Sequence, residues 1–312
     1  MSLIKYLFFS ALLLLGGGLQ AQLDLFQPHA PKSSDADRYE QKITPNKARY
    51  FEVTSPTELA KAINAAPAEG TNAQGKELLL TLPDPEGRKA TFRITRYQMI
   101  TDELQAVYPT YATAFGWDVD APHRKIFLDW TGQGFGASIT GGAEGRWYIE
   151  PLYHQQKKVY QSFFTHDYPR RDRDESCGFV PNPKLQAELA AFGHSDKSVG
   201  DCQLREYDLA LACTGEYYAA VGGTEASVVT EMMRAINRVN EVFRSDLAIQ
   251  LTIINLPTSS NGIQLLYNNP ASDPVSYTLL KLTTIHSTSI ALVHRPANKH
   301  HILELRISHH SD

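Results

Sequence analysis

The chain has 312 residues, 42% of them hydrophobic and 21% charged, which suits a folded protein of one large domain or two ordinary ones and argues against a disordered one. Its net charge of −4 leaves no electrostatic footprint for nucleic acid or for an acidic lipid surface.

The chain opens on Lys5, an apolar run from Tyr6 to Leu15, and a small-residue stretch ending Leu19-Gln20-Ala21. That order is a secretory signal peptide with the cut expected after Ala21. The apolar run is shorter than the ~20 residues of a spanning helix, so a membrane anchor is not expected. The mature chain is thus expected outside the cytoplasm, secreted or in a periplasm. In such an oxidising compartment Cys177 and Cys202 can form a disulfide, while Cys213, within an apolar strand pattern, reads as a small core residue.

Residues 22–47 are polar, carry Pro28, Pro31 and Pro45, and read as a linker. A helix is predicted from Ser55-Pro56-Thr57-Glu58, with Ser55 as cap, Pro56 at the first helical position and Glu58 reaching back. Leu59, Ala62 and Ile63 form its apolar face, and Pro67 and Gly70 stop it.

The pattern then turns to β. Strands are expected at 78–82, 90–97, 124–130, 135–139, 146–149 and 159–164, with turns at Asp84-Pro85-Glu86-Gly87 and Thr131-Gly132-Gln133-Gly134. Residues 48–168 therefore read as a small antiparallel domain with one helix near its start. Asp118, Asp120 and His123 lie close together, either as a solvated turn between strands or as a metal site.

Residues 169–206 read as a second linker. Arg170-Arg171 would suit a trypsin-like processing protease, or simply a solvated loop. Cys177 has two readings, the disulfide to Cys202 or a thiolate that keeps a zinc site latent by occupying its open position.

From Tyr207 the pattern is strand, glycine turn, helix, strand. Tyr207, Leu209 and Leu211 alternate, and Thr224 caps a helix running to about Phe243. Val229, Met232, Met233, Ile236, Val239 and Phe243 form its apolar stripe, and Leu247, Ile249, Leu251 and Ile253 alternate again. Strand–helix–strand at this spacing predicts two parallel strands in one sheet.

These residues carry a resemblance. Leu209-Ala210-Leu211-Ala212, Thr214-Gly215-Glu216-Tyr217, Gly222-Gly223-Thr224, Ile236-Asn237-Arg238-Val239-Asn240 and Asp246-Leu247-Ala248-Ile249 resemble the start of the catalytic domain in secreted bacterial reprolysin-like zinc proteases of the metzincin class, of a Bacteroidetes type. Tyr267-Asn268-Asn269-Pro270-Ala271-Ser272-Asp273-Pro274 is similar to a later segment of that family. The stretch 48–168 is similar to its propeptide, through Thr131-Gly132-Gln133-Gly134-Phe135 and Arg146-Trp147-Tyr148-Ile149-Glu150-Pro151.

The resemblance implies zinc as cofactor, proteins or peptides as substrates, and a His-Glu-x-x-His helix whose two His bind the metal and whose Glu activates its water. Neither that motif nor the family's Met-turn occurs in the sequence, so no catalytic residue is transferred and no zinc is expected in this chain. Residues 275–312 hold six of the eleven His: His286, His294, His300, His301, His309 and His310. The tail reads as an out-of-frame end joined after Pro274, or as a metal-binding segment centred on His300, His301, His309 and His310. Within it, 279–290 and 301–307 are apolar enough for strands.

The expected fold is thus α+β. An antiparallel β-rich propeptide-like domain with one N-terminal helix is followed by an incomplete βαβ metzincin-like domain at 207–274. The competing expectation is a secreted, non-catalytic binding or inhibitory module.

Overall fold

The computed structural model of the chain describes residues 22–31, 39, 41, 43–71, 77–154, 157–168, 203–213, 215–254, 286–294 and 301–309. They form two compact units. The first comprises the chain up to Gln41, Arg49–Tyr97 and Thr110–Ser162; the second comprises Lys42–Ala48, Gln98–Pro109 and the chain from Phe163 on.

The first unit is a curled sheet. Its strands are β1 (Gln22–Leu23), β2 (Phe26–Pro28), β3 (Arg49–Val53), β4 (Leu78–Pro83), β5 (Lys89–Tyr97), β6 (Ala112–Asp118), β7 (Lys125–Thr131), β8 (Gly134–Thr140), β9 (Trp147–Pro151) and β10 (Val159–Phe164), with the helix α1 at Pro56–Ala65. The order across the sheet is β1-β4-β5-β6-β7-β8-β9-β10-β3-β2. Its two outermost strands, β1 and β2, are neighbours in sequence. Asp24 and Leu25 join the two edges, so the sheet curls on itself and leaves little free edge for another chain to pair with.

Residues 22–28, expected as linker, are therefore structural. Gln22 pairs with Leu79 in parallel, and Phe26 with Val53 antiparallel. Phe26 is fully buried, its ring 5.5 Å from Phe135 and 5.7 Å from Tyr160. Burying one such ring stabilises by about 2–3 kcal/mol, enough to hold a three-residue strand. Leu80, Leu82, Phe92, Ile126, Leu128, Ile139 and Ile149, also fully buried, fill the same interior.

Each of the six expected strands forms, within two residues at either end. Strands β3 and β6 were not expected. At the start of α1, Ser55 Oγ accepts the Glu58 amide at 3.2 Å, which is half of the reciprocal box expected there. Its own Leu59 and Ile63 are fully buried.

Two turns show why these sequences reverse the chain. Asp84 Oδ1 accepts the amides of Glu86 and Arg88, each at 2.9 Å, and Gly87 takes a φ of +86°, which a side chain would resist. Asp118 plays the same part after β6. It is 3% exposed, its Oδ1 accepts the amides of Asp120 and Ala121, and its Oδ2 meets Arg124 at 2.8 Å.

The second unit is built on a four-stranded sheet of order β12-β11-β13-β14, formed by β11 (Arg205–Cys213), β12 (Ile249–Ile253), β13 (His286–His294) and β14 (His301–His309). The expected parallel pair forms, from Arg205 opposite Ile249 to Leu209 opposite Ile253. Strand β13 lies antiparallel to β11, and β14 antiparallel to β13.

Among its described residues are the helices α2 (Asp102–Val107), α3 (Gly215–Ala220) and α4 (Glu225–Val242). Thr224 begins α4 with a complete reciprocal cap. Its Oγ1 accepts the Ser227 amide at 3.2 Å, while Ser227 Oγ accepts the Thr224 amide at 3.3 Å. Val228, Val229, Met232, Met233 and Ile236 are fully buried along the helix, and Val239 and Phe243 only half-buried. Residues Phe243–Leu247 widen into a π-type turn. Ala248, at φ +52°, then swings the chain into β12, and its carbonyl accepts the Arg205 amide at 2.8 Å.

Candidate functional site

Helix α4 is buried on more than the expected stripe. Thr230, Arg234, Asn237 and Glu241 are each at most 4% exposed, and their spacing of four, three and four residues puts them on one side of the helix. Arg234 Nη1 lies 3.9 Å from Glu231 Oε1 within that polar side. A moment of hydrophobicity identifies one apolar face and assigns the polar remainder to water, so sequence reading could not find the second.

Asn240, fully buried, leaves the helix surface to serve the sheet. Its Nδ2 donates to the Leu251 carbonyl at 2.9 Å, and its Oδ1 accepts the Leu251 amide at 2.8 Å. Further along the same edge of β12, the Ile253 amide donates to the Met99 carbonyl at 2.7 Å and the Ile253 carbonyl accepts the Thr101 amide at 3.1 Å. Gln250 Nε2 donates to the Gln98 carbonyl at 2.9 Å, and its Oε1 accepts from Arg244. Met99, Ile100 and Leu104 are each at most 2% exposed in this unit. The edge of β12 is therefore closed by a side-chain amide at Leu251 and by backbone at Ile253. The sequence carried a signal for the first, an Asn within a buried helix pattern, and none for the second.

A zinc ion asks for three or four His, Cys or carboxylate donors that converge. Among the described residues no donor set fits it. Helix α4 carries no His, the His-Glu-x-x-His motif is absent from the sequence, and no group of three such donors gathers among the described residues. Asp118, Asp120 and His123 make a turn rather than a metal site, since both carboxylate oxygens of Asp118 are taken by backbone amides and Arg124.

Of the other candidates, Arg170, Arg171, Cys177, Cys202, His300 and His310 lie outside the described residues, as does the Tyr267–Pro274 segment. His301 stands opposite His294, and His309 opposite His286, at the two ends of the β13–β14 pair. Cys213 is buried, as expected of a core residue. No helix among the described residues is long and apolar enough to cross a membrane.

No curated protein matches the chain. Residues 204–290 match the family model described as metallo-peptidase family M12B, reprolysin-like, a family that is zinc-dependent and acts on proteins or peptides. The matched stretch begins one residue before β11, takes in the whole β11–α4–β12 crossover, and runs past Pro274 into β13, further than the resemblance read from the sequence.

Proposed function

We propose that this chain is the N-terminal portion of a secreted zinc-dependent endopeptidase, with a propeptide-like strand-rich unit ahead of the supporting part of a catalytic domain. The observation that carries the reading is the M12B match at 204–290 falling on a parallel β–α–β crossover, with a separate curled sheet before it. Signal cleavage after Ala21 would leave Gln22 first, and Gln22 is the residue that enters β1.

The 312 residues lack the two His and the Glu that would bind the metal and activate its water, so by themselves they cleave nothing on this reading. The zinc-binding helix would be encoded beyond them. Translation of the genomic DNA after the Ile290 codon in all three frames tests this: a His-Glu-x-x-His within the next few hundred codons supports the protease reading, and its absence sinks it. A quenched-peptide assay of the purified chain with added zinc tests the inactivity. Cleavage lost on chelation would overturn it.

A second reading, metal capture by the tail, is favoured by one observation. The register sets His286 opposite His309 and His294 opposite His301, and imidazoles bind zinc, copper and nickel. Stoichiometric nickel binding lost on deleting 286–312 would establish it; unchanged or absent binding would remove it.

A further inference from the structure

The second unit is assembled from chain on both sides of Arg170-Arg171, and the edge of β12 is where the two sides are joined. Residues Gln98–Thr101 join the edge of β12 through a single parallel bridge, Ile100 opposite Ile253. Their bonds are three: Ile253 amide to Met99 carbonyl, Thr101 amide to Ile253 carbonyl, and Gln250 Nε2 to Gln98 carbonyl, at 2.7, 3.1 and 2.9 Å. Helix α2 follows at once and places Leu104, fully buried, in the same unit. Asn240 satisfies Leu251 on the same edge, so every group that β12 turns outward at 251 and 253 has a partner.

An open edge strand is a template for pairing with other chains, and proteins cover it. Here the cover comes from more than sixty residues upstream of the dibasic pair, and it is held by backbone bonds and buried apolar side chains, the same means by which extended peptides are captured on sheet edges.

We propose that Gln98–Val107 is a built-in clamp on the edge of the reprolysin-like sheet, so that a cut at Arg170-Arg171 nicks the protein without releasing the N-terminal piece. The reprolysin-like sheet then needs this segment to keep its edge closed after processing as well as before. The proposal involves no zinc chemistry and stands apart from the protease reading.

The test uses the full chain with Asp172–Glu175 replaced by the recognition sequence of a site-specific protease. After complete cleavage, the two pieces should co-elute on gel filtration in native buffer, and the Ile253 amide should keep its hydrogen-exchange protection. Separation of the pieces, or loss of that protection on nicking, overturns the proposal.

Co-elution could arise from contacts elsewhere, so a second variant isolates the clamp. Thr101 has φ −66°, the value that proline fixes, and Ile100 before it is extended. Thr101→Pro therefore removes the amide that bonds Ile253 while leaving the backbone path intact. Thr101→Ala keeps the amide and removes a buried hydroxyl that makes no hydrogen bond. In the nicked protein, Thr101→Pro should shift the balance toward release by roughly tenfold, and Thr101→Ala should not. Equal retention of the two variants, with equal protection at Ile253, would show that the clamp does not hold the pieces together.

Discussion

The carboxamide of Asn240 is bonded to both backbone groups of Leu251, donating to its carbonyl at 2.9 Å and accepting from its amide at 2.8 Å. A helix side chain here imitates the neighbouring strand that β12 lacks at that position. Both partners are fully buried, so neither Leu251 group has water to fall back on once the amide is removed.

Asn240→Ala should therefore destabilise by about 2–4 kcal/mol, more than two ordinary exposed hydrogen bonds would be worth. Asn240→Asp keeps the acceptor for the Leu251 amide and turns an oxygen toward the carbonyl, so it should recover little. Urea unfolding of the three proteins decides the point. A loss below about 0.5 kcal/mol for Asn240→Ala would mean that the edge is satisfied in some other way.

Ala248 makes an opposite case, a residue whose replacement should help. It sits at φ +52° between the π-type turn and β12, where the Cβ of an L-residue crowds the following carbonyl. Ala248→Gly removes that crowding, at the cost of a looser unfolded chain. The net expectation is a gain of about 0.5 kcal/mol, read as a higher urea midpoint. A midpoint that falls would show that the turn is held without strain.

Strands rich in alternating large residues could be read from the sequence, and those that pair by being narrow could not. Phe92 and Ile94, or Ile126, Leu128 and Trp130, mark β5 and β7 by period alone. Strand β6 has Ala112, Ala114 and Gly116 on one face, residues of low strand propensity, and its place is set by the strands on either side. Strands β1 and β2 have two and three residues, too few for any periodicity, and depend on Phe26 finding its pocket. The parallel β11–β12 pair was legible because a long amphipathic helix between two alternating runs leaves few other topologies. The edge bonds to Met99 and Thr101 join positions about 150 residues apart and leave no local trace.

Gly116 puts a size limit on β6. A Cβ at that position would lie 2.1 Å from the Arg93 carbonyl oxygen and 3.1 Å from Ile94 Cδ1, and the first of these is backbone of the paired strand. The strand cannot yield there without breaking its own ladder. Gly116→Ala should cost about 3 kcal/mol or more, whereas Ala114→Gly on the same face should cost about 1 kcal/mol. Similar losses for the two variants, measured by denaturant unfolding, would refute the close-approach explanation.

Glu52 on β3 supplies a pH dependence. Its carboxylate meets Lys158 Nζ at 2.5 Å and His29 Nδ1 at 3.3 Å. The hydrogen bond and charge of Lys158, helped by His29 and opposed by partial burial, hold the Glu52 carboxyl below its ordinary value of 4.5. A carboxyl depressed in the folded state binds its proton more readily when unfolded. Its contribution is therefore complete above the ordinary value and is lost as pH falls through the depressed one. Glu52→Gln removes the titration. The difference in unfolding midpoint between wild type and Glu52→Gln should be present at about pH 6 and shrink toward about pH 3. The pair is partly exposed, so the difference should also diminish in high salt. A difference that grows on acidification would mean that the carboxyl is raised rather than lowered, and that burial outweighs Lys158.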